Sequence, residues 1–347
     1  MGNLAVGMVE IFRTECMEQP ARLSGVFQAY SARSDIRRQL NDLKKTSWTA
    51  KPLLWSGMGA SYCSCISGAT RLSLAGRPSF PVEASEWLHF AVSSSERISG
   101  PVLVTSSGES AELVELCRLS SMSPHILVCN AEESTCWKEA QIHFPILAGD
   151  EKGNATKTYT NSTAICTIIA AELLEQNWQR DSKQVTEAFA QSLEEAFRRR
   201  EELAEFCREM KDLEVVARGA AVAGALMGAL CIREMTGWRA SASSGGSFRH
   251  GPLLDVDSTH LALILALGRT AAMGRRIAND CVAKGGKVIL VVDQDPIENS
   301  RRLLSIKVQP VPESWEALTS VLVPQALTQA LMERLGTRYV RTTTTIQ

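Results

Sequence analysis

The sequence predicts an α/β protein built from two parallel-sheet units. Short apolar runs alternate with helical patterns in both halves of the 347-residue chain, and several of these runs end in glycine- or serine-rich turns. Strands that alternate with helices pair in parallel through right-handed crossover connections. A chain of this length is long for one hydrophobic core and sufficient for two ordinary domains.

The first half opens with a helical pattern over residues 4–43, in which Pro20 is a break signal. Four strands are then predicted, at residues 51–55, 101–104, 125–129 and 143–147. A long helical stretch over 156–210 separates the two halves. Its charged part, 179–208, is typical of a solvated helix face, and the competing interpretation is a nucleic-acid patch.

The second half repeats the alternation. Its strands are predicted at residues 213–217, 260–267, 287–292 and 304–308, followed by a helix over 315–335. The similar rhythm of the halves indicates an internal duplication. We therefore expect an N-terminal helical segment over 1–45, domains over 46–185 and 186–335, and a C-terminal tail over 336–347.

The composition narrows the possible partners. Lys plus Arg (37) nearly balances Asp plus Glu (38), so no global basic field would attract nucleic acid or anionic lipid. Charged residues at Glu10, Arg13 and Glu15 argue against a signal peptide, and no apolar run is long enough for a membrane helix. The ten cysteines lie mostly in apolar stretches without zinc-site spacing, which predicts reduced thiols in a cytoplasmic protein without a metal or cofactor.

A serine-rich loop follows the predicted strand at 101–104. It consists of Thr105, Ser106, Ser107, Gly108, Glu109 and Ser110. Hydroxyl groups and a glycine at the carboxyl end of a parallel strand suit a phosphate group, which also benefits from the dipole of the helix that follows. The alternative is an ordinary helix cap, where serine and glutamate are common. The loop's composition alone leaves both interpretations open.

A second turn, Gly57-Met58-Gly59-Ala60-Ser61, follows the strand at 51–55. It resembles a dinucleotide-binding fingerprint but lacks the third glycine, so nicotinamide binding is not predicted. In the second half, Glu234 lies in an apolar helical stretch. It is either a carboxylate that faces solvent or a catalytic one. His250 ends a flexible small-residue loop that begins at residues 241–247. It is interpreted as either a positioned imidazole or part of a helix cap.

Seven segments, in sequence order, match motifs of one known family. They are residues 17–20, 59–62, 84–87, 106–110, 154–160, 218–234 and 249–252. Together they resemble the two-domain sugar isomerase (SIS) family, in particular the isomerase half of glucosamine–fructose-6-phosphate aminotransferase and the fructosamine-phosphate deglycases. The resemblance extends from about residue 8 to 335. It implies two SIS domains, each a flavodoxin-like αβα sandwich with a parallel sheet, together with an N-terminal helix and a C-terminal tail.

The resemblance also implies roles for individual residues. The substrate phosphate would be held by Ser61, Thr105, Ser106, Ser107 and Ser110. Glu234 would move a proton between C1 and C2 of an open-chain sugar, and His250, sixteen residues later, would act on the ring oxygen. Because the family shares this histidine across a dimer, a homodimer is implied. Candidate substrate contacts are Asn154, Arg338 and Arg341.

Three departures from the family pattern affect the expected chemistry. No glutaminase domain is present in the sequence, so glutamine-dependent amination is not expected. Met227 replaces a glutamate of the family's helix motif. The C-terminal segment 336–347 has no lysine for a Schiff base, and arginine is a poor nucleophile because it stays protonated.

The leading hypothesis is an isomerase- or deaminase-type enzyme that acts on a 6-phosphorylated ketose or amino sugar. A deglycase for 6-phosphofructose–amino-acid conjugates begins with the same proton removal and stays open as an alternative. The rival from another class is a non-catalytic sugar-phosphate sensor. The sequence retains both Glu234 and His250 and shows no DNA-binding extension, which favours an enzyme.

Overall fold

The computed structural model describes residues 2–45, 51–91, 99–119 and 125–337. These residues form two compact units, each built around one sheet. The first-sheet unit contains Glu18–Glu151 and Ala155–Lys183. The second-sheet unit contains residues 2–17, the short segment Lys152–Asn154 and residues 184–337.

The first sheet has five parallel strands in the order β2-β1-β3-β4-β5. They are β1 Leu53–Gly57, β2 Ser79–Glu83, β3 Ser99–Thr105, β4 Ile126–Cys129 and β5 Ile142–Pro145. The helices up to the end of this part of the chain are α1 Gly2–Ala32, α2 Ser34–Lys45, α3 Ala60–Leu74, α4 Ala84–Glu86, α5 Ala111–Arg118, α6 Thr135–Glu139 and α7 Lys157–Leu173. All seventeen residues of α7 are buried, so this helix is part of the core.

The second sheet has five parallel strands in the order β10-β9-β8-β6-β7. They are β6 Asp212–Ala217, β7 Arg239–Ser244, β8 His260–Ala266, β9 Lys287–Val292 and β10 Leu303–Lys307. Its helices are α8 Gln179–Arg198, α9 Arg200–Phe206, α10 Ala221–Thr236, α11 Gly245–Arg249, α12 Pro252–Asp255, α13 Ala271–Ala283, α14 Glu316–Thr319 and α15 Leu322–Leu335. Counted along the chain within each unit, both sheets have the strand order 2-1-3-4-5. The two-domain α/β prediction is therefore confirmed.

Near-continuous apolar runs explain why these strands are central. The side chains of β4 and of most of β8 and β9 are buried, as expected for parallel strands covered by helices on both faces. The ten cysteines are buried and form no disulfide. Among the described residues, no helix is long and apolar enough to cross a membrane.

The break predicted at Pro20 is wrong, because α1 continues through this residue. A proline removes one backbone hydrogen bond from a helix, so other contacts must hold the flanking turns. Lys157 Nζ lies 2.7 Å from a carboxylate oxygen of Glu18. Thr160 donates a 2.6 Å hydrogen bond to Gln19, so tertiary contacts fix both residues that precede the proline.

The sequence pattern misses β2 and β7, which are the equivalent edge strands of the two sheets. In β2, Phe80 is exposed and Pro81 follows it, so neither hydrophobic alternation nor strand propensity is strong. In β7, the sequence is largely alanine and serine, and its interpretation as a loop is wrong. The Ser241 and Ser243 hydroxyls donate to buried Glu214 in β6, which stabilises a strand of low apolar content.

Candidate active site

Two loops lie at the carboxyl edge of the first sheet, on either side of the crevice between β1 and β3. From β1 the chain passes to β2 on one side and later to β3 on the other, so this crevice is the topological switch point where parallel sheets bind ligands. Ser61 lies in the first turn of α3, packed so tightly over Gly57 that a Cβ at this glycine would come within 2.9 Å of Ser61 and of the Val104 carbonyl. The structure therefore brings Ser61 and the serine-rich loop to one edge of one sheet.

The backbone of the serine-rich loop is held in a fixed turn. Gly108 has a φ of +66° and its N–H donates a 3.1 Å hydrogen bond to Thr105 Oγ1. Its carbonyl accepts from the N–H of Cys136 at 3.1 Å. A Cβ at this position would collide with the Ser134 side chain. The turn therefore requires glycine for both its backbone angle and its close contact with the next loop.

The hydroxyls of the loop are not used as an ordinary helix cap. Ser110 occupies the N-cap position of α5 but makes no side-chain cap hydrogen bond. Ser106 and Ser107 are exposed, and Ser107 Oγ accepts only a 3.2 Å hydrogen bond from the Glu109 N–H. Thr105 is buried, so its hydroxyl first serves to hold the turn. The arrangement leaves several hydroxyl donors facing solvent at the N-terminus of a helix, where an anion is stabilised.

Glu234 lies in the last turn of α10, a helix of small and apolar residues that ends at Gly237, whose φ is +67°. The Asn154 side-chain amide donates to Glu234 Oε2. Asn154 is only 3% exposed, and its Oδ1 has no partner among the described residues. Partial burial raises the pKa of Glu234, while the hydrogen bond from Asn154 acts to lower it. Asn154 thus orients the carboxylate, and partial burial moves its pKa toward neutral pH, while the side chain still reaches solvent.

Glu15 holds the segment that carries Asn154. This buried carboxylate accepts hydrogen bonds from the backbone N–H groups of Lys152 at 2.5 Å and Gly153 at 3.1 Å. In the sequence, Glu15 argues only against a signal peptide, so this supporting role was not predicted. An acidic residue inside an otherwise apolar helical stretch is the signal that marks it, since such a carboxylate needs buried hydrogen-bond donors.

His250 follows α11 as its C-cap residue and is exposed. Its N–H donates a 3.0 Å hydrogen bond to the Ser247 carbonyl. The helix is started by Ser244, whose side chain accepts from the Ser247 N–H, and Arg249 pairs with Asp280. Within the described residues, Glu234 and His250 make no hydrogen bond or ion pair with each other. His250 therefore stands on a short, well-anchored helix, not on the flexible segment that the sequence indicated.

The remaining candidates fall into two groups. Met227 is fully buried in α10, so it acts as a core residue at the position where the family motif has a glutamate. Arg338 and Arg341 lie outside the described residues. Among the residues that the structure describes, no group of three or more acidic, cysteine or histidine side chains is arranged to hold a metal ion.

The chain is similar to known proteins in sequence and in fold. Residues 208–333 match the sequence model of the SIS domain. The chain is 26% identical over 294 residues to the glutamine–fructose-6-phosphate aminotransferase [isomerizing] of Thermococcus kodakarensis, which covers 79% of this chain and 48% of the relative. It thus spans about half the length of this curated relative.

Solved structures show the same fold over nearly the whole chain. The C-terminal domain of glucosamine-fructose-6-phosphate aminotransferase from Francisella tularensis superposes with a TM-score of 0.80 at 22% identity, covering 94% of this chain and 97% of that one. The tagatose-6-phosphate ketose/aldose isomerase of Escherichia coli gives a TM-score of 0.76 at 17% identity, with 93% of each chain covered. The chain thus matches the SIS domain over residues 208–333, and its pair of 2-1-3-4-5 sheets has the fold of these solved structures.

Proposed function

We propose that this chain is a phosphosugar-processing enzyme of the isomerase or deaminase type, acting on a 6-phosphorylated ketose or amino sugar. The observation that carries the proposal is the Glu234 carboxylate, which is oriented by buried Asn154 and has a raised pKa. A group that removes and returns a proton works best when its pKa lies near the working pH. A carboxylate kept only for solubility would need neither a buried amide partner nor partial burial.

The phosphate end of the substrate is assigned to the first-sheet unit. Ser61, Ser106, Ser107 and Ser110 offer hydroxyl donors, and Thr105 supports the turn that presents them. The N-terminus of α5 adds backbone N–H groups that have no partner within the helix. Neutral donors that converge at a switch point suit a phosphate monoester without a metal ion.

Glu234 would take a proton from the sugar carbon next to the carbonyl and return it to the former carbonyl carbon, while a hydroxyl proton passes from O1 to O2. Together these two transfers convert the ketose into the aldose. His250 would transfer the proton that opens the sugar ring. In this chain the imidazole is exposed, which supports its use by a second copy in a homodimer with shared sites. We further propose a cytoplasmic location, since ten thiols that form no disulfide suit a reducing compartment.

Ligand binding and turnover separate the proposal from its alternatives. A thermal-shift screen of 6-phosphosugars and 6-phosphofructose–amino-acid conjugates, with the unphosphorylated compounds as controls, identifies the preferred class because a ligand raises the melting temperature in step with its affinity. A conjugate that binds best and releases its amine on turnover identifies the deglycase. A phosphosugar that binds without any turnover identifies the sensor.

Two variants test the division of roles between the units. Glu234→Gln should abolish turnover and leave the affinity for the phosphosugar nearly unchanged. Ser107→Ala combined with Ser110→Ala should weaken binding of the phosphorylated ligand and have little effect on the unphosphorylated one. A Glu234→Gln enzyme with wild-type turnover would refute acid–base catalysis by this residue. Unchanged phosphosugar affinity in the double variant would reduce the loop to a helix-capping role.

A further inference from the structure

A charged cleft of about 440 Å³ lies in the second-sheet unit, away from the turns at the carboxyl edge of its sheet. It is bordered by the amino-terminal residues of β6, β7 and β8, the end of α10 and the short helix α12. Its charged and titratable lining residues are Asp212, Glu214, Arg233, Arg239, Asp255 and His260. A concave site with a few convergent polar groups is the usual form of a small-molecule site.

The floor of the cleft is acidic. Glu214 is 5% exposed and accepts hydrogen bonds from the Ser241 and Ser243 hydroxyls. It makes no ion pair with any described residue. Burial of a carboxylate is costly unless a positive charge or several hydrogen bonds compensate it. Two hydroxyl donors compensate only part of this cost, so the floor favours a ligand that brings a cation.

The side wall adds further polar groups. His260 Nδ1 lies 2.6 Å from Asp212 Oδ1, which leaves Nε2 as the second polar atom of the ring. This Nε2 is buried and has no hydrogen-bond partner among the described residues. An orphaned ring nitrogen in the wall of a cleft is satisfied most simply by a ligand that donates to it or accepts from it.

The mouth of the cleft carries the opposite charge. Arg233 and Arg239 are exposed and flank the Gly237 turn between α10 and β7. Their guanidinium groups suit a carboxylate. The three carboxylates of the lining (Asp212, Glu214, Asp255) exceed its two guanidiniums by one negative charge. A complementary ligand therefore carries a net charge of +1, with one cation at its inner end and a second cation and a carboxylate at its outer end.

We propose that this cleft binds an α-amino acid with a cationic side chain. The side-chain cation would lie against Glu214, the α-carboxylate would bind Arg233 and Arg239, and the α-ammonium group would lie near Asp212 and Asp255. The site is independent of the serine-rich loop and of the Glu234 carboxylate. It gives the chain a second ligand of a different chemical class from its phosphosugar.

Isothermal titration of the full chain with L-lysine tests the proposal, with two partial ligands for the two ends of the site. Norleucine lacks the side-chain ammonium and should bind at least about tenfold more weakly, the loss expected for one hydrogen bond to a charged group. 1,5-Diaminopentane lacks the carboxylate, so it should bind through its two ammonium groups alone, with no contribution from Arg233 and Arg239. Lysine that does not bind the wild-type chain overturns the proposal.

Variants then locate the binding. Arg239→Ala, at an exposed position that should not affect folding, should weaken lysine by about tenfold and leave 1,5-diaminopentane unchanged. Glu214→Gln should weaken both ligands, with its melting temperature as the check on folding. The matched control is Glu234→Gln, which should bind lysine as the wild type does even if turnover is lost. Equal lysine affinity in Arg239→Ala and the wild type would overturn the assignment.

Discussion

The contact between Asn154 and Glu234 gives the most direct prediction from the site. In an Asn154→Ala chain the carboxylate loses its amide donor but keeps the surrounding protein that raises its pKa. Hydrogen bonds to charged groups contribute about 1.5–3 kcal/mol. If that energy orients the base in the transition state, kcat should fall by roughly 10- to 150-fold, since about 1.4 kcal/mol is a factor of ten.

The same substitution should shift the pH dependence in a known direction. The amide donates to the carboxylate and therefore favours its ionised form, so its loss raises the pKa of Glu234 further. Because the base must be ionised to accept a proton, the acidic limb of the kcat/KM profile should move to higher pH. Asn154→Asp should move this limb further than Asn154→Ala does, because a second carboxylate beside Glu234 adds charge repulsion.

The assay is kcat/KM from pH 4.5 to 9 on the best substrate of the thermal-shift screen. Asn154 Oδ1 has no partner in the described chain, so its removal should cost little stability. The matched control is Asn130→Ala, which also removes a structural amide, one that donates a 3.0 Å hydrogen bond to the Gly149 carbonyl in the first-sheet unit. An Asn154→Ala chain with an unshifted limb and less than a twofold change in kcat would refute the positioning role.

Three further predictions concern the loop and two buried groups. Gly108→Ala should abolish phosphosugar binding and lower stability by about 2 kcal/mol or more, through its positive φ and the collision with Ser134, whereas Gly25→Ala, with open space around its Cβ, should not. Burial, reinforced by nearby acidic groups, raises the pKa of Glu316 to about 7, so the free energy of unfolding should fall as pH rises from 4.5 through 7. At pH 8, urea unfolding of a Glu316→Gln chain should give a free energy of unfolding roughly 3 kcal/mol above that of the wild type. Burial lowers the pKa of His125 to about 4, so stability that is present above pH 6.5 should be lost as pH falls toward 4. Over that range, the free energy of unfolding of a His125→Leu chain should fall by up to about 3 kcal/mol less than that of the wild type. If the free energy of unfolding changes with pH in parallel for the wild type and the variant, the prediction for that residue, Glu316 or His125, is contradicted.

The central strands could be predicted from the sequence because their burial on both faces leaves a continuous apolar run. The prediction at 287–292 coincides with β9, and that at 213–217 differs from β6 by one residue. Edge strands carry no such run. β7 forms because Ser241 and Ser243 bond to Glu214, and such a pairing between distant residues has no local sequence signal.

The site was predictable only in part for a similar reason. Glu234, His250 and the serine-rich loop carry recognisable motifs, so the sequence indicates them one by one. The support around them comes from residues distant in sequence: Asn154 reaches Glu234 across 80 positions, and Glu15 binds Lys152 across 137. The fixed geometry of His250 depends on a helix too short to show a period, since α11 has only five residues.

The two sheets share one strand order although the turns at their carboxyl edges differ in sequence. The turn after β3 presents hydroxyls around Gly108, whereas the equivalent turn after β8 contains Gly268, whose φ is also positive and whose N–H donates to the Asp293 carboxylate at 2.7 Å. The buried strands keep their order with either set of turn residues, so the turns do not determine the fold. A serine-rich loop transplanted into the Gly268 turn would therefore keep a glycine in the same left-handed region of φ, and this duplicated architecture is open to the engineering of a second anion site.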